Sequence, residues 1–447
     1  MADTLTTSPP QGTARADADG APAAAAGVYQ PRKAWAIATW LTAFSAINFL
    51  DKVVLGMVAV PLMRDLQLTP TQFGVVAGSF FWLFSISAAV VGFVGNRVPA
   101  RWLLLAMAVL WSLVQFPVAL ASSATALLVS RVILGAGEGP GFPVSVHALY
   151  KWFPHEKRNL PVSLINQGAT IGLLLAGLGV PLVTHQWGWR ANFVVLAAAS
   201  LLWALGWLIW GREGTLRTEV QAGGSEPARA QAPVSYRRLL TDTTVLCGFL
   251  TGFAAYWGLA LALTWLPSYL EQGLGFDAAA AGRMFAIIVA AGVPVSMGLS
   301  WCSQRMLRRG ASSRSARVVF SCVCVGLGGV LLLALPLLPL PPGGKVALLA
   351  VSAVLPPITF ALGPAVLGEI VPDAQRSALI AISTAVSTSA GAVAPVVMGK
   401  LVQAQSHAGA AHGFELGFGV CGAVMVAGCL VGILGQHPER TRQRLRA

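Results

Sequence analysis

The sequence predicts an all-α polytopic membrane protein of about twelve transmembrane helices in two pseudo-symmetric six-helix bundles. Three observations carry this. Hydrophobic residues make up 55% of the chain and charged residues only 11%, whereas soluble domains carry about 25% charged residues. Mean hydropathy is +0.69, and apolar runs of bilayer-spanning length, about 20 residues, recur to the end of the chain. Lys and Arg between those runs alternate in density, 23 of the 30 on one side and five on the other, with Lys52 and Arg131 inside the runs. The positive-inside rule then expects both termini in the cytoplasm.

Taken in order, residues 1–33 are rich in Ala, Pro, Thr and Asp and read as a disordered cytoplasmic tail. No charged-then-apolar signal peptide is visible, so the first membrane helix is expected to direct insertion. An N-terminal six-helix bundle is expected over 34–211, with spans near 34–60, 73–95, 101–121, 125–150, 160–184 and 189–211. Residues 212–243 mix Gly, Ser, Pro and charge, as a cytoplasmic linker between bundles does. A second bundle is expected over 244–436, with spans near 244–270, 279–303, 316–338, 345–370, 376–402 and 414–436. Residues 437–447 form a basic cytoplasmic tail.

The halves share a faint repeat. GFVGNRVPARW follows the second span and GLSWCSQRMLRRG the eighth, each placing small then basic residues at a helix end. Repeated halves mark secondary transporters, which favours transport over a receptor or a membrane enzyme. The net charge of +13 is spread over loops on one side and comes with no base-reading motif, so nucleic acid is excluded as a partner. The lipid bilayer is the expected environment and a monomer the expected state. There is no Walker A sequence to drive transport by ATP. The six cysteines form no CxxC pair and the six histidines do not cluster, so no metal site and no cofactor is expected.

Charges inside the runs are the candidate site, because an ionisable group at that depth is expensive unless used. Asp51 and Lys52 are consecutive, about 100° apart around the helix, so both can border one cavity without sharing a partner. Lys52 is read as holding a substrate anion and Asp51 as exchanging a proton; mutual neutralisation is the structural alternative. Arg131 and Glu138 are seven residues apart, on one face of the fourth span about 10 Å apart along its axis. Pro140 and Pro143 are expected to bend that helix just after Glu138, and the intervening glycines to admit a close neighbour. Gln167 on the fifth span and Thr388 on the eleventh are candidate substrate contacts, or helix-packing groups. Tyr256 and Trp257 on the seventh are candidate cavity walls, or core aromatics.

The stretches INFLDK (47–52), RVILGAGEGPGFP (131–143), QWGWRANF (186–193) and LTWLPSYL (263–270) resemble the major facilitator superfamily, and within it the anion:cation symporters of organic acids. The resemblance covers roughly residues 35–435 and implies the major facilitator fold. It implies Glu138 as the main proton-coupling acid, with Asp51, and Arg131 as the base that adjusts it and contacts substrate. The loop at 92–101 resembles the signature G-x-x-x-D-R-x-G-R, with Asn96 and Pro99 in place of its acid and a glycine; Gln304, before Arg305, likewise stands where an acid is expected. Asn96, Arg97, Arg101, Gln304 and Arg305 are therefore the expected gating residues. Phe49 and Phe84 stand where sugar-acid carriers resembling this chain have tyrosines, which points toward a smaller or more apolar anion. The expected activity is proton-coupled import of a small organic carboxylate across the bacterial inner membrane, with protons as the coupling ion. The alternatives are efflux by proton antiport and, in another class, a non-transporting receptor.

Overall fold

A computed structural model describes residues 29–94, 98–214, 216 and 234–446. Residues 1–28 of the expected 1–33 tail, residues 215 and 217–233 of the expected 212–243 linker, and Asn96 and Arg97 lie outside the described residues. Eleven helical segments among the described residues are long and apolar enough to cross a bilayer. The expected fourth span is split into Ala124–Glu138 and Gly141–Tyr150. Pro140 lacks the N–H that would continue the ladder, so the break falls where the prolines place it. The two pieces together cover residues 124–150, about 40 Å end to end, enough to cross.

In chain order the twelve spans begin with Pro31–Met57, Pro70–Val94, Ala100–Ala119 and the split fourth, then Asn159–Trp187 and Trp189–Trp210. The second set is Thr243–Thr264, Ala278–Arg308, Arg314–Ala334, Pro342–Ile370, Asp373–Ala404 and Ala410–Gly435. The tenth is interrupted between Val354 and Ile358, where Pro356 and Pro357 remove two donors. Ser123, Asp242 and Asp277 cap the fourth, seventh and eighth spans through backbone N–H groups of Ala126, Thr244 and Ala280.

Two stretches outside the expected spans contain helix. Tyr236–Leu240 lies within the expected linker and buries Leu239 against Phe249, Leu367 and Ile370. Pro438–Arg446 lies within the expected tail. It docks because Thr441 bonds Thr244 (2.7 Å) and Asp242 (3.1 Å) while Arg444 pairs with Asp242 (3.0 Å).

Lipid gives no hydrophobic drive between helices, so close backbone approach must hold them. Within the first half, a Cβ at Gly135 would overlap the Phe80 carbonyl, and one at Gly139 the Phe84 carbonyl, which locks the fourth span to the second. Between halves, the second span packs along the eleventh: Gly74 meets the Pro395 carbonyl and Gly78 the Ala392 carbonyl. Gly56 meets the Leu263 and Thr264 carbonyls, and Gly177 of the fifth span meets Gly282 of the eighth. Odd-numbered spans run away from the side holding the termini, so these approaches lie on the far side. Trp265 adds an edge contact to Phe73 at 4.9 Å and donates to the Pro395 carbonyl at 3.0 Å. The halves are thus joined by close backbone approaches on the far side.

Gly74→Val places a branched side chain against the Pro395 carbonyl. Overpacking of this kind costs about 1–3 kcal/mol, and here it acts on the closed seam alone. A cysteine at Ala77, buried in the seam, is expected to become reactive from the far side in that variant and to stay protected without it. Equal protection in both would show that the seam yields elsewhere.

Candidate functional site

The first, third and fourth spans bring the buried charges together. Asp51 is fully buried, Glu138 and Arg131 are 1% and 2% exposed, and Lys52 is 8% exposed. The Lys52 ammonium lies 3.8 Å from Glu138 Oε2. It also donates to Asn48 Oδ1, and Asn48 Nδ2 donates in turn to Glu138 Oε2 at 2.9 Å. Lys52 Nζ sits 4.3 Å from the Phe49 ring centroid and 5.1 Å from that of Phe84. Stacked against aromatic faces, the ammonium is held with little hydration.

Asp51 points the other way. Its Oδ1 accepts from Gln115 Nε2 of the third span at 2.8 Å, inside the first half. Arg131 donates to the Asp51 backbone carbonyl at 3.3 Å and lies over the Phe80 ring at 4.8 Å. No Arg131–Glu138 ion pair forms among the described residues. Asp51 Oδ2, Glu138 Oε1 and Arg131 Nε have no hydrogen-bond partner among the described residues. Such buried polar atoms are costly in a structural cluster and expected in a working one.

Of the other sequence candidates, Tyr256 lies where the halves meet, with its ring 5.8 Å from Phe81 and 5.9 Å from Phe360. Trp257 packs instead into the core beside Phe253 at 5.8 Å, since it faces about 100° away from Tyr256. Thr388 is 5% exposed and its hydroxyl is shared with Ser85 of the second span at 2.5 Å, bridging the halves. Gln167 is exposed and shows no side-chain partner among the described residues. Arg101 serves its own half: its Nη2 donates to the Leu208 carbonyl at 2.8 Å and its backbone N–H to Glu213 at 3.1 Å. Gln304 and Arg305 are exposed at the end of the eighth span on the side of the termini, with Arg305 stacked on Trp301.

Sequence reasoning missed Asn48, Gln115 and Ser85. Asn48 is four residues before Lys52, hence on the same helix face, and that spacing was the available signal. Gln115 is a lone amide in an apolar run. Nothing local marks Ser85. The QWGWRANF stretch builds a far-side clamp, not a substrate contact. Arg190 and the Trp189 indole both donate to Asp65, and these bonds hold its carboxyl below the usual carboxylate range.

Two six-helix halves around a buried cluster of opposite charges, joined on one side, define a secondary membrane transporter. The chain belongs to the Major Facilitator Superfamily, whose family profile it matches over residues 40–355. It is 29% identical over 304 residues to the Probable sulfoacetate transporter SauU of Cupriavidus necator, covering 65% of this chain and 69% of that one. It is 28% identical over 340 residues to the Hexuronate transporter of Bacillus subtilis, covering 73% and 78%. Its fold matches a bacterial homolog of the human lysosomal transporter Spinster in an inward-facing, unoccupied conformation, with TM-score 0.78 and 18% identity over 94% of this chain and 99% of that one.

Proposed function

We propose that this transporter imports a small organic anion together with protons across the bacterial inner membrane, as a monomer with both termini in the cytoplasm. The observation that carries the reading is the Lys52 ammonium 3.8 Å from Glu138 and set against the Phe49 and Phe84 rings. One cation there faces two claimants, the Glu138 carboxylate and an incoming anion. An anion that engages Lys52 takes the counter-charge from Glu138, and a buried carboxylate without its counter-charge is costly. A proton on Glu138 removes that cost, so anion and proton load together. Unloading on the side of the termini reverses both steps. Asp51, bonded to Gln115 and beside Arg131, serves as a second, more enclosed proton site in this scheme. The relatives' names place sulfoacetate and hexuronates among the anions to try. The rings against Lys52, Phe49 and Phe84, carry no hydroxyl, which favours a poorly hydroxylated anion over a sugar acid, because each buried substrate hydroxyl needs a partner.

The test is uptake of labelled sulfoacetate and of glucuronate into vesicles under an imposed pH gradient, acid outside. Uptake that collapses when a protonophore equalises pH is expected, greater for sulfoacetate. Anion-driven proton movement in the opposite sense would establish efflux by antiport instead.

A further inference from the structure

We propose that Asn48 is a positioning residue whose side-chain amide turns over during the cycle, linking the charge on Lys52 to the proton on Glu138. The inference rests on the symport reading of this cluster. Asn48 is 6% exposed and lies between the two groups, one helical turn before Lys52. Its two ends have opposite polarity. Oδ1 accepts from the Lys52 ammonium, which has donors only. The Nδ2 end must then face Glu138 Oε2, to which it donates at 2.9 Å. An N–H facing that oxygen stabilises an ionised carboxylate, so a proton arriving on Oε2 requires the N–H to give way to an acceptor.

When Lys52 turns to an anion, Oδ1 loses its donor. A half-turn of the amide then offers Oδ1 to the newly protonated carboxyl, which needs an acceptor. No bond is made or broken covalently; one proton moves from solvent to Glu138, and the amide exchanges one hydrogen bond for another. Only an amide meets both demands at nearly constant shape. A carboxylate accepts but cannot donate, and an aliphatic side chain does neither. The charged and titratable groups around Glu138 are Lys52 and Asp51 on the first span, Arg131 on its own span and the Tyr256 hydroxyl on the seventh. Of these, Lys52 pairs with Glu138 Oε2 at 3.8 Å, while the Asn48 amide donates to it at 2.9 Å.

The experiment is infrared difference spectroscopy of the purified full chain, titrated without substrate, with the protonated-carboxyl band of Glu138 assigned by its loss in Glu138→Gln. In Asn48→Leu the titration midpoint of that band is expected to move to higher pH by at least about one unit, tenfold in proton affinity. Asn48→Asp, the same size as the native amide, is expected to move it the same way and serves if the leucine variant fails to fold. A changed melting temperature with an unmoved midpoint in both variants would overturn the relay and leave Asn48 as packing. A native chain with no Glu138 band at any pH would instead overturn the symport reading, and the relay with it. A second readout separates the two roles: with sulfoacetate as probe, a native chain takes up protons on binding, and the relay requires Asn48→Leu to take up fewer at the same pH.

Discussion

Glu138→Gln is expected to abolish accumulation of anion against its gradient while leaving exchange of labelled for unlabelled anion across the vesicle membrane. Glutamine can donate an N–H to Asn48 Oδ1 as the protonated acid does in the relay, and its volume is nearly that of glutamic acid. It stands in permanently for the protonated acid. Lys52 then has no carboxylate beside it and remains free for the anion. The loaded carrier can still turn, so counterflow persists. The empty carrier has no proton to release, so nothing ties anion movement to the pH gradient. With one proton per monoanion the native protein concentrates its substrate about tenfold per unit of pH gradient, and the variant is expected to fall to about unity. Proton-driven uptake and counterflow, run side by side in the same vesicles, decide it. Full accumulation by the variant would show that Glu138 is structural and that coupling resides elsewhere, with Asp51 the next group to examine. Asp51→Asn is a poorer first test, because Asp51 is adjacent to Lys52 and bonded to Gln115, so anion binding and packing change with it.

Lys52→Gln is expected to lose anion binding itself. Removing one partner from a buried charge-assisted contact costs about 2–5 kcal/mol, upward of about 30-fold in affinity. The variant also leaves Glu138 without its cation, and a proton compensates there, so folding is expected to survive. Substrate-induced thermal stabilisation, measured on purified protein, should disappear in Lys52→Gln. Lys52→Arg should retain part of it. The guanidinium keeps the charge but demands planar, forked contacts, and the space between Phe49 and Phe84 is shaped for a point charge. Unchanged affinity in Lys52→Gln would move the anion contact to Arg131, which donates to the Asp51 carbonyl.

Much of this was legible from residue order. Transfer free energy alone decides that runs such as SLLWALGWLIW enter a bilayer, and the alternation of basic loops sets their direction. Pro140 announces the break in the fourth span, because a missing N–H is a local property. The seven-residue spacing of Arg131 and Glu138 places them on one face but too far apart to pair, as helix geometry requires. The stretches 236–240 and 438–446 were not legible as helices. Each is short, and such segments are marginal until a surface receives them; here Phe249 and Asp242 do so.

What only the tertiary structure decided is the partner of each charge. Asp51 and Lys52 are adjacent in sequence, yet one bonds Gln115 and the other stands beside Glu138. Thr388, readable equally as a substrate contact or a packing group, shares its hydroxyl with Ser85 across the seam. The residues joined in these contacts are 64, 86 and 303 positions apart. Helical periodicity fixes which residues share a face, but not how far each helix is rotated about its axis against its neighbours. That rotation is set where Gly135 and Gly139 admit the carbonyls of Phe80 and Phe84, and Gly74 and Gly78 those of Pro395 and Ala392. In a bilayer, where lipid is as apolar as leucine, such close approaches rather than burial of apolar surface choose the register. The sequence by itself therefore determined a twelve-span chain with four charges at membrane depth; the packing of glycine against carbonyl decided which of those charges meet one another.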